Sequence, residues 1–370
     1  MTTEGTQPDT TDYVLTADLL FDGEHVHENH AIAIAGDRIA AVGPIADLRD
    51  HGEVSKLDGT LLPGFIDLHA HVHLDQTPRD IVLRHGLTTV RDTGGPLVPM
   101  AGGDGRLRVL GSGPILTAPG GYPVPVFGPQ AAIEVADADA AREAVRALAV
   151  GGAVMVKIGL EPGGSGGAPW SAHAASSEPP WPLLPVETVA AIVAEAHEHG
   201  LTVAAHLSGP AGAEVALAAG VDEWAHVPCD PLPDELIEKA AGAGVRVVGT
   251  LATLSRTSGL FPNAIRMAQA GIRLLYGTDL AHPDVPWGIS GFELQLMLHT
   301  GHGAVTPTEV LAAATARAGD HLGLAPLGRL VPGAPADVIG TRGDALARFK
   351  LLEYPSLVVS GGVVVVDTRD

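Results

Sequence analysis

The chain has 370 residues, 46% of them hydrophobic and 18% charged, which is enough apolar material for a large core and argues against wholesale disorder. Its 43 acidic and 22 basic residues give a formal charge of -21; this repels a phosphate backbone, and no basic patch reverses it, so nucleic acid is excluded as a partner. The lone cysteine, Cys229, leaves no internal disulfide, and no uninterrupted apolar run is long enough to span a bilayer, so no membrane role is expected.

The stretch Met1 to Tyr13 is polar and acidic rather than basic and then apolar, and cytoplasmic residence is the default expectation. From Tyr13 to about Leu62, VLTADLLFDG and AIAIAGDRIAAVG read as short strands joined by turns. The C-terminal stretch returns to that style in ADVIGTR and PSLVVSGGVVVVDT. The expectation is a small discontinuous β-sandwich domain built from residues 1–62 and 329–370.

Residues 63–328 alternate short apolar strands with helical stretches. The strand candidates are GFIDLHAHV, TTVRDTG, RVLGSG, VMVKIG, TVAAHL, EWAHV, RVVGTL and RLLYGTD. Between them AAREAVRALAVGG, VETVAAIVAEAHEHG, AGAEVALAAG and PDELIEKAAGAG carry helical spacing and end in glycine, as helix C-caps often do. Such a succession predicts an α/β protein with a closed (β/α)8 TIM barrel, because a doubly wound sheet usually stops near about five or six strands. In that fold the chemistry sits at the C-terminal ends of the strands. Two connections, Pro114 to Gln130 and Glu161 to Pro185, are too long for simple turns and are expected to overhang the barrel mouth.

His69 and His71 are two apart in a strand and project from one face, where two imidazoles can chelate a metal. The pair alone is weak, since His25 and His27 share its spacing in a region read as a solvated turn. Lys157 in VMVKIG, His206 in TVAAHL, His226 in EWAHV and Asp279 in YGTDL occupy the same relative place on later strands. Each alone has a plain structural reading, as a core histidine, a helix N-cap or a snorkelling lysine. A barrel brings them around one small space, and a metal explains their convergence.

The set resembles the binuclear branch of the amidohydrolase superfamily, which includes imidazolonepropionase-like and prolidase-like enzymes. The likeness rests on PGFIDLHAHVH, TTVRDTGG, MVKIG with GGSGG after it, AAHLSG, GVDEWAHV, YGTDLAHP, and GISGFELQLML through LGRLVPGAPADV. The resemblance implies two divalent metal ions, one held by His69, His71 and Asp279 and the other by His206 and His226, with Lys157 bridging both as its CO2-derived carbamate. Charge makes this sensible: carbamate, Asp279 and a bridging hydroxide nearly neutralise two divalent ions, whereas a lysinium would repel them. Zinc suits a shell dominated by histidine nitrogen, and Mn, Co or Fe tolerate the same donors. Water between two such ions is acidified toward neutrality, and Asp279 can take the nucleophile's proton and pass it to a leaving nitrogen.

The implied reaction is metal-dependent hydrolysis of an amide or peptide C–N bond in a dipeptide, a C-terminal peptide residue or an N-acyl amino acid, with peptide natural-product maturation as a variant. Opening of a cyclic amide, or deamination, is a second reading, and a non-catalytic binding barrel a third. The sequence departs from many prolidase-like relatives at Ala225, where they carry Glu, and at Gly120-Gly121-Tyr122, where they carry Gly-Gly-His. Tyr122 either donates a hydrogen bond to substrate or packs within its loop; His282 and Arg256 are further candidates for substrate contact. The substrate expected is a small molecule or peptide, and a homodimer is the default assembly.

Overall fold

Alternating apolar residues in Tyr13–Phe21, His30–Ala35 and Glu53–Pro63 bury both sides of a mixed sheet that the C-terminus completes. Its order runs Val363–Asp367, Leu357–Ser360, Val338–Arg342, Glu53–Pro63, Tyr13–Phe21, His30–Ala35, Arg38–Pro44, with Val26–Glu28 paired to Tyr13–Phe21. Val338 pairs with Pro63 on one side and Val359 on the other, so the chain's two ends do meet. The eight strands form one continuous ladder rather than two separately laddered sheets. One face carries Leu15, Leu20, Ile32, Ile34, Leu57, Leu61, Val338 and Leu357, a cluster separate from the main core. This computed structural model describes residues 13–73, 77–172, 180–282 and 284–369. The polar stretch before Tyr13 and residues 173–179 of the second long connection lie outside the described residues.

Glu53–Pro63 leads through Gly64 straight into Phe65–Ala70, the first strand of the TIM-barrel-like α/β domain. Gly64 is needed there because a Cβ would lie 2.2 Å from Thr88 Oγ1. Phe65–Ala70, Leu87–Asp92 and Arg108–Gly111 form one parallel ladder. Val156–Gly159, Val203–His206, Glu223–Trp224 and Arg246–Val247 form another. The helices Ala138–Val150, Val186–Glu198, Pro210–Ala219 and Asp234–Gly242 lie where the sequence predicts them. Val145, Leu148, Val189, Ile192, Ala216 and Ile237 from these helices share one core with Phe65, Val90, Val156, Val203 and Trp224.

The expected closed eight-stranded ladder is not what the backbone forms. Two features interrupt it. The first long connection contributes an unpredicted strand, Ile115–Thr117, which pairs with the Lys157 strand at Ile158 and carries Ala132–Glu134 on its outer edge. The second is RLLYGTD, which makes no regular strand: it and the Leu280 that follows touch their neighbours through single bridges, Leu275 with Val248 and Leu280 with Ala70. The cause is local. Asp279 (φ 61°) and Ala281 (φ 92°) adopt left-handed backbone, which ends strand geometry. Individual hydrogen bonds still tie this segment in, from Leu68 N to Tyr276 O at 3.1 Å and from Leu275 N to Val247 O at 2.9 Å.

Among the described residues no helix is long and apolar enough to cross a membrane.

Candidate active site

His69, His71 and Asp279 come together where the first and last segments of the domain meet. Gly277 allows the approach, since a Cβ would lie 2.4 Å from Val248 Cγ1 and 3.0 Å from His69 Cβ. Asp279 Oδ1 lies 3.5 Å from His69 Nε2 and 3.1 Å from His71 Nε2. One ligand atom from each of the three residues falls within 4.8 Å of the others. Asp67, two residues before His69, locks the two segments: its carboxylate accepts from His69 N, Thr278 N and, at 2.6 Å, Thr278 Oγ1. Burial pushes the Asp67 carboxyl up to about 7.

Two of the imidazoles in the centre, His69 and His226, have distinct anchors. His69 Nδ1 donates to the carbonyl of Ala225 at 2.8 Å, which leaves Nε2 facing Asp279. The departure at Ala225 is therefore harmless to His69, because the backbone oxygen makes this contact. His226 Nδ1 lies 2.9 Å from Thr250 Oγ1, and its Nε2 lies 3.0 Å from His206 Nδ1. Thr250, like Asp279, holds positive φ (49°), an uncommon state for a β-branched residue and a sign that surrounding structure enforces it.

Burial, reinforced by Lys157 and neighbouring His226, keeps His69 well below its ordinary imidazole value; burial and the neighbouring His206 do the same for His226. Burial also lowers His206. These rings are neutral, with lone pairs to offer. Burial presses down on His71 as well, but its contact with Asp279 outweighs that and raises it. Burial alone would raise Asp279; His69 and His71 reverse this and hold its carboxyl well below the usual range. Lys157 is only 1% exposed, its Nζ has no hydrogen-bond partner among the described residues, and burial draws the amine down to about 7 against the pull of Glu223.

The remaining predicted residues divide. Tyr122 is buried with its ring stacked on His206, centroids 4.2 Å apart, and on Trp181 at 6.0 Å. Trp170 meets His206 edge-on at 4.6 Å. Both long connections thus wall the histidine cluster. Arg256 is not gathered in: its side chain is 80% exposed and pairs with Asp284 at 3.6 Å. His282 follows the Asp279 turn, its backbone N–H donating to Asp279 O, and lines a groove with His85, Val285 and Trp287.

Sequence reasoning passed over two participants, Glu161 and Thr250, while His73 continues the alternation of His69 and His71 beyond the strand end and reads from the sequence as a neighbour of the metal ligands. Glu161 is fully buried beside His206, with Oε2 lying 3.7 Å from His206 Nε2. It is the one acid in GLEPGG, directly after the Lys157 strand, and that isolation was the available signal. Thr250 lies next to the end of RVVGTL, close to the relative strand position of the metal-ligand candidates. His73 is held by Asp92, whose carboxylate lies 2.6 Å from Nδ1 and also accepts the His73 backbone N–H.

A barrel-like α/β domain with histidines, a lysine and an aspartate at its strand ends defines the class: a hydrolase of the kind that works with metal ions. The chain belongs to the amidohydrolase family, whose model matches residues 60–365, while the NagA composite domain matches residues 13–62. The family is generally metal-dependent, and the chain is a hydrolytic enzyme. It is 27% identical to ochratoxinase of Aspergillus niger over 411 aligned residues, covering 91% of this chain and 82% of that one. An amidohydrolase crystal structure superposes with a TM-score of 0.80 at 25% identity, covering 97% of this chain and 100% of the other. A Xaa-Pro dipeptidase with methionine in its active site shares the fold, with a TM-score of 0.76 at 22% identity, covering 96% and 99% of the two chains.

Proposed function

We propose that this enzyme cleaves an amide or peptide C–N bond in a small substrate such as a dipeptide, a C-terminal peptide residue or an N-acyl amino acid. The observation that carries the reading is the convergence of His69, His71 and Asp279 on one point, with their ligand atoms within 4.8 Å. The donor set fits metal: neutral buried imidazoles at His69, His206 and His226, His71 held against an ionised Asp279 carboxylate, and a buried Lys157 Nζ with no hydrogen-bond partner among the described residues. His69, His71 and Asp279 would hold one ion and His206 with His226 a second, with Lys157 between them as a carbamate; zinc suits these donors best. When bound, such ions supply acidified water and a polarised scissile carbonyl.

Within this reading the chain's own residues divide the work. Asp279 stays ionised because His69 and His71 hold it so, and it accepts the attacking water's proton and returns it to the leaving nitrogen. Tyr122 is stacked on His206, where its hydroxyl would donate to a substrate carbonyl, and Trp170 and Trp181 pack against the same ring pair. A hydrophobic cluster drawn only from the two terminal segments, Leu15 to Leu61 and Leu330 to Val359, supports treating 1–62 with 329–370 as one unit and residues 63–328 as the catalytic one; cytoplasmic residence and a homodimer belong to the same proposal.

The test is a mass-spectrometric screen of the purified enzyme against dipeptides, N-acyl amino acids and cyclic amides, before chelation, after it, and after zinc is returned. Linear amides cleaved only by the metal-loaded enzyme bear the proposal out. Turnover of cyclic amides alone would move the assignment to ring opening.

A further inference from the structure

Three of the buried imidazoles present one nitrogen to a neighbouring ring or carboxylate and tie down the other. For His69 the tie is the Ala225 carbonyl, and for His226 it is the Thr250 hydroxyl. His206 points Nδ1 at His226 Nε2, 3.0 Å away, and its far nitrogen, Nε2, faces a carboxylate oxygen, Glu161 Oε2 at 3.7 Å. Among the described residues neither atom has a hydrogen-bond partner, and at 3.7 Å the two face each other at ion-pair rather than hydrogen-bond distance. The other Glu161 oxygen accepts the Gly163 N–H at 2.6 Å, which aims the carboxylate. We propose that Glu161 is a positioning residue that fixes His206 in the Nε2–H tautomer and so turns the Nδ1 lone pair toward the centre.

The argument is one of polarity. Two imidazole nitrogens 3.0 Å apart need one hydrogen between them, and it belongs either to His206 or to His226. If His206 kept its proton on Nδ1, Nε2 would aim a bare lone pair at a buried carboxylate, and neither group would have a donor. With the proton on Nε2, every contact has a donor and an acceptor: His206 Nε2–H toward Glu161, His226 Nε2–H to His206 Nδ1, and the Thr250 hydroxyl to His226 Nδ1. The hydroxyl adapts because it can donate or accept; a carboxylate only accepts, so Glu161 sets the direction of the whole chain. In the other neutral tautomer of His226, with its one proton on Nδ1 and donated to the Thr250 hydroxyl, Nε2 would join His206 Nδ1 as a second lone pair able to hold a metal. Anchoring carboxylates of this kind orient metal-ligating histidines and raise their basicity.

The inference rests on the metal reading for its second consequence but not for its first, and the experiment separates them. Nitrogen-15 NMR of histidine-labelled, metal-free enzyme reads the tautomer of His206 directly. The Nε2–H form is expected in the wild-type enzyme and a mixture in Glu161→Ala. A wild-type His206 protonated on Nδ1 overturns the proposal whatever the metal content, and needs no variant to fold. The second arm titrates metal-free wild-type and Glu161→Ala enzyme with cobalt(II), followed by visible absorption and by metal counted after dialysis. The variant is expected to keep one ion and to bind the second about 10–100-fold more weakly. Two ions bound by the variant with wild-type affinity and spectrum overturn the positioning role. Absence of metal binding by the wild-type enzyme would instead remove the metal reading, and the tautomer would still decide for or against Glu161.

Discussion

The Asp279 carboxylate stands 3.1 Å from Nε2 of His71, on a residue whose φ of 61° is left-handed. The strained backbone is what aims the side chain at both His69 and His71, so the carboxylate is positioned before any ligand arrives. Replacing Asp279 with Asn keeps the shape, tolerates the same φ, and removes the charge and the proton acceptor. Hydrolysis of the best amide substrate should fall by about 10²–10⁴-fold, the usual range for a lost general base. A variant that kept more than a tenth of wild-type kcat/KM with full metal content would rule Asp279 out as the proton carrier.

Thr250 offers a finer test. Its hydroxyl lies 2.9 Å from His226 Nδ1, and nothing else in the described contacts fixes that ring nitrogen. Thr250→Val preserves shape and branching while deleting the oxygen; Thr250→Ser retains the oxygen. Metal affinity measured against a competing chelator should drop about 10–100-fold in the valine variant and stay near wild type in the serine one. Equal losses in both would trace the effect to packing at this strained position rather than to the hydrogen bond.

Much of this site was legible from residues spaced far apart in the chain, because strand ends converge whatever lies between them. His69, His71, His206, His226, Lys157 and Asp279 could be found by asking which polar residues close apolar strands. The two ends of the small sheet were legible for a similar reason: alternation in Tyr13–Phe21 and Leu357–Ser360 marks strands that need partners. The break in the ladder at RLLYGTD was not legible, since its apolar residues read as an ordinary strand and the left-handed turn at Asp279 depends on tertiary contacts with His69 and His71. Ile115–Thr117 was hidden by the Pro and Gly residues around it, which signal a loop. Glu161 and Thr250 matter only through the rings they face, and no spacing rule reveals a partner forty-five or twenty-four residues away.

Tyr122 separates recognition from packing. Its ring is stacked on His206 with centroids 4.2 Å apart. Tyr122→Phe retains that stack and loses only the hydroxyl. If the hydroxyl bonds the substrate, kcat/KM should fall by about tenfold, near the worth of one hydrogen bond, while the melting temperature holds. Unchanged kinetics in the phenylalanine variant, with loss of activity and stability in Tyr122→Ala, would assign the residue to packing alone.

Beneath the site, Glu223 is wholly buried and gripped by Arg91 at 2.9 and 2.5 Å and by His321 at 2.5 Å. Burial pushes its carboxyl upward, yet Arg91 and His321 overcome that and hold it well below the ordinary range. A folded value depressed below the unfolded one means that the unfolded chain binds the extra proton first as pH falls. The stabilisation is therefore complete above the unfolded glutamate value of about 4.3 and is lost progressively below it, toward the folded value. Glu223→Gln strands the buried Arg91 charge and should cost about 3–5 kcal/mol at neutral pH. Urea unfolding of both proteins across the acid range checks the sign: the gap between them should stay flat from neutrality down to about pH 5 and then narrow as the wild-type carboxylate loses its advantage. A gap that widened on acidification would mean that Glu223 is protonated in the folded enzyme and that Arg91 takes its counter-charge from elsewhere.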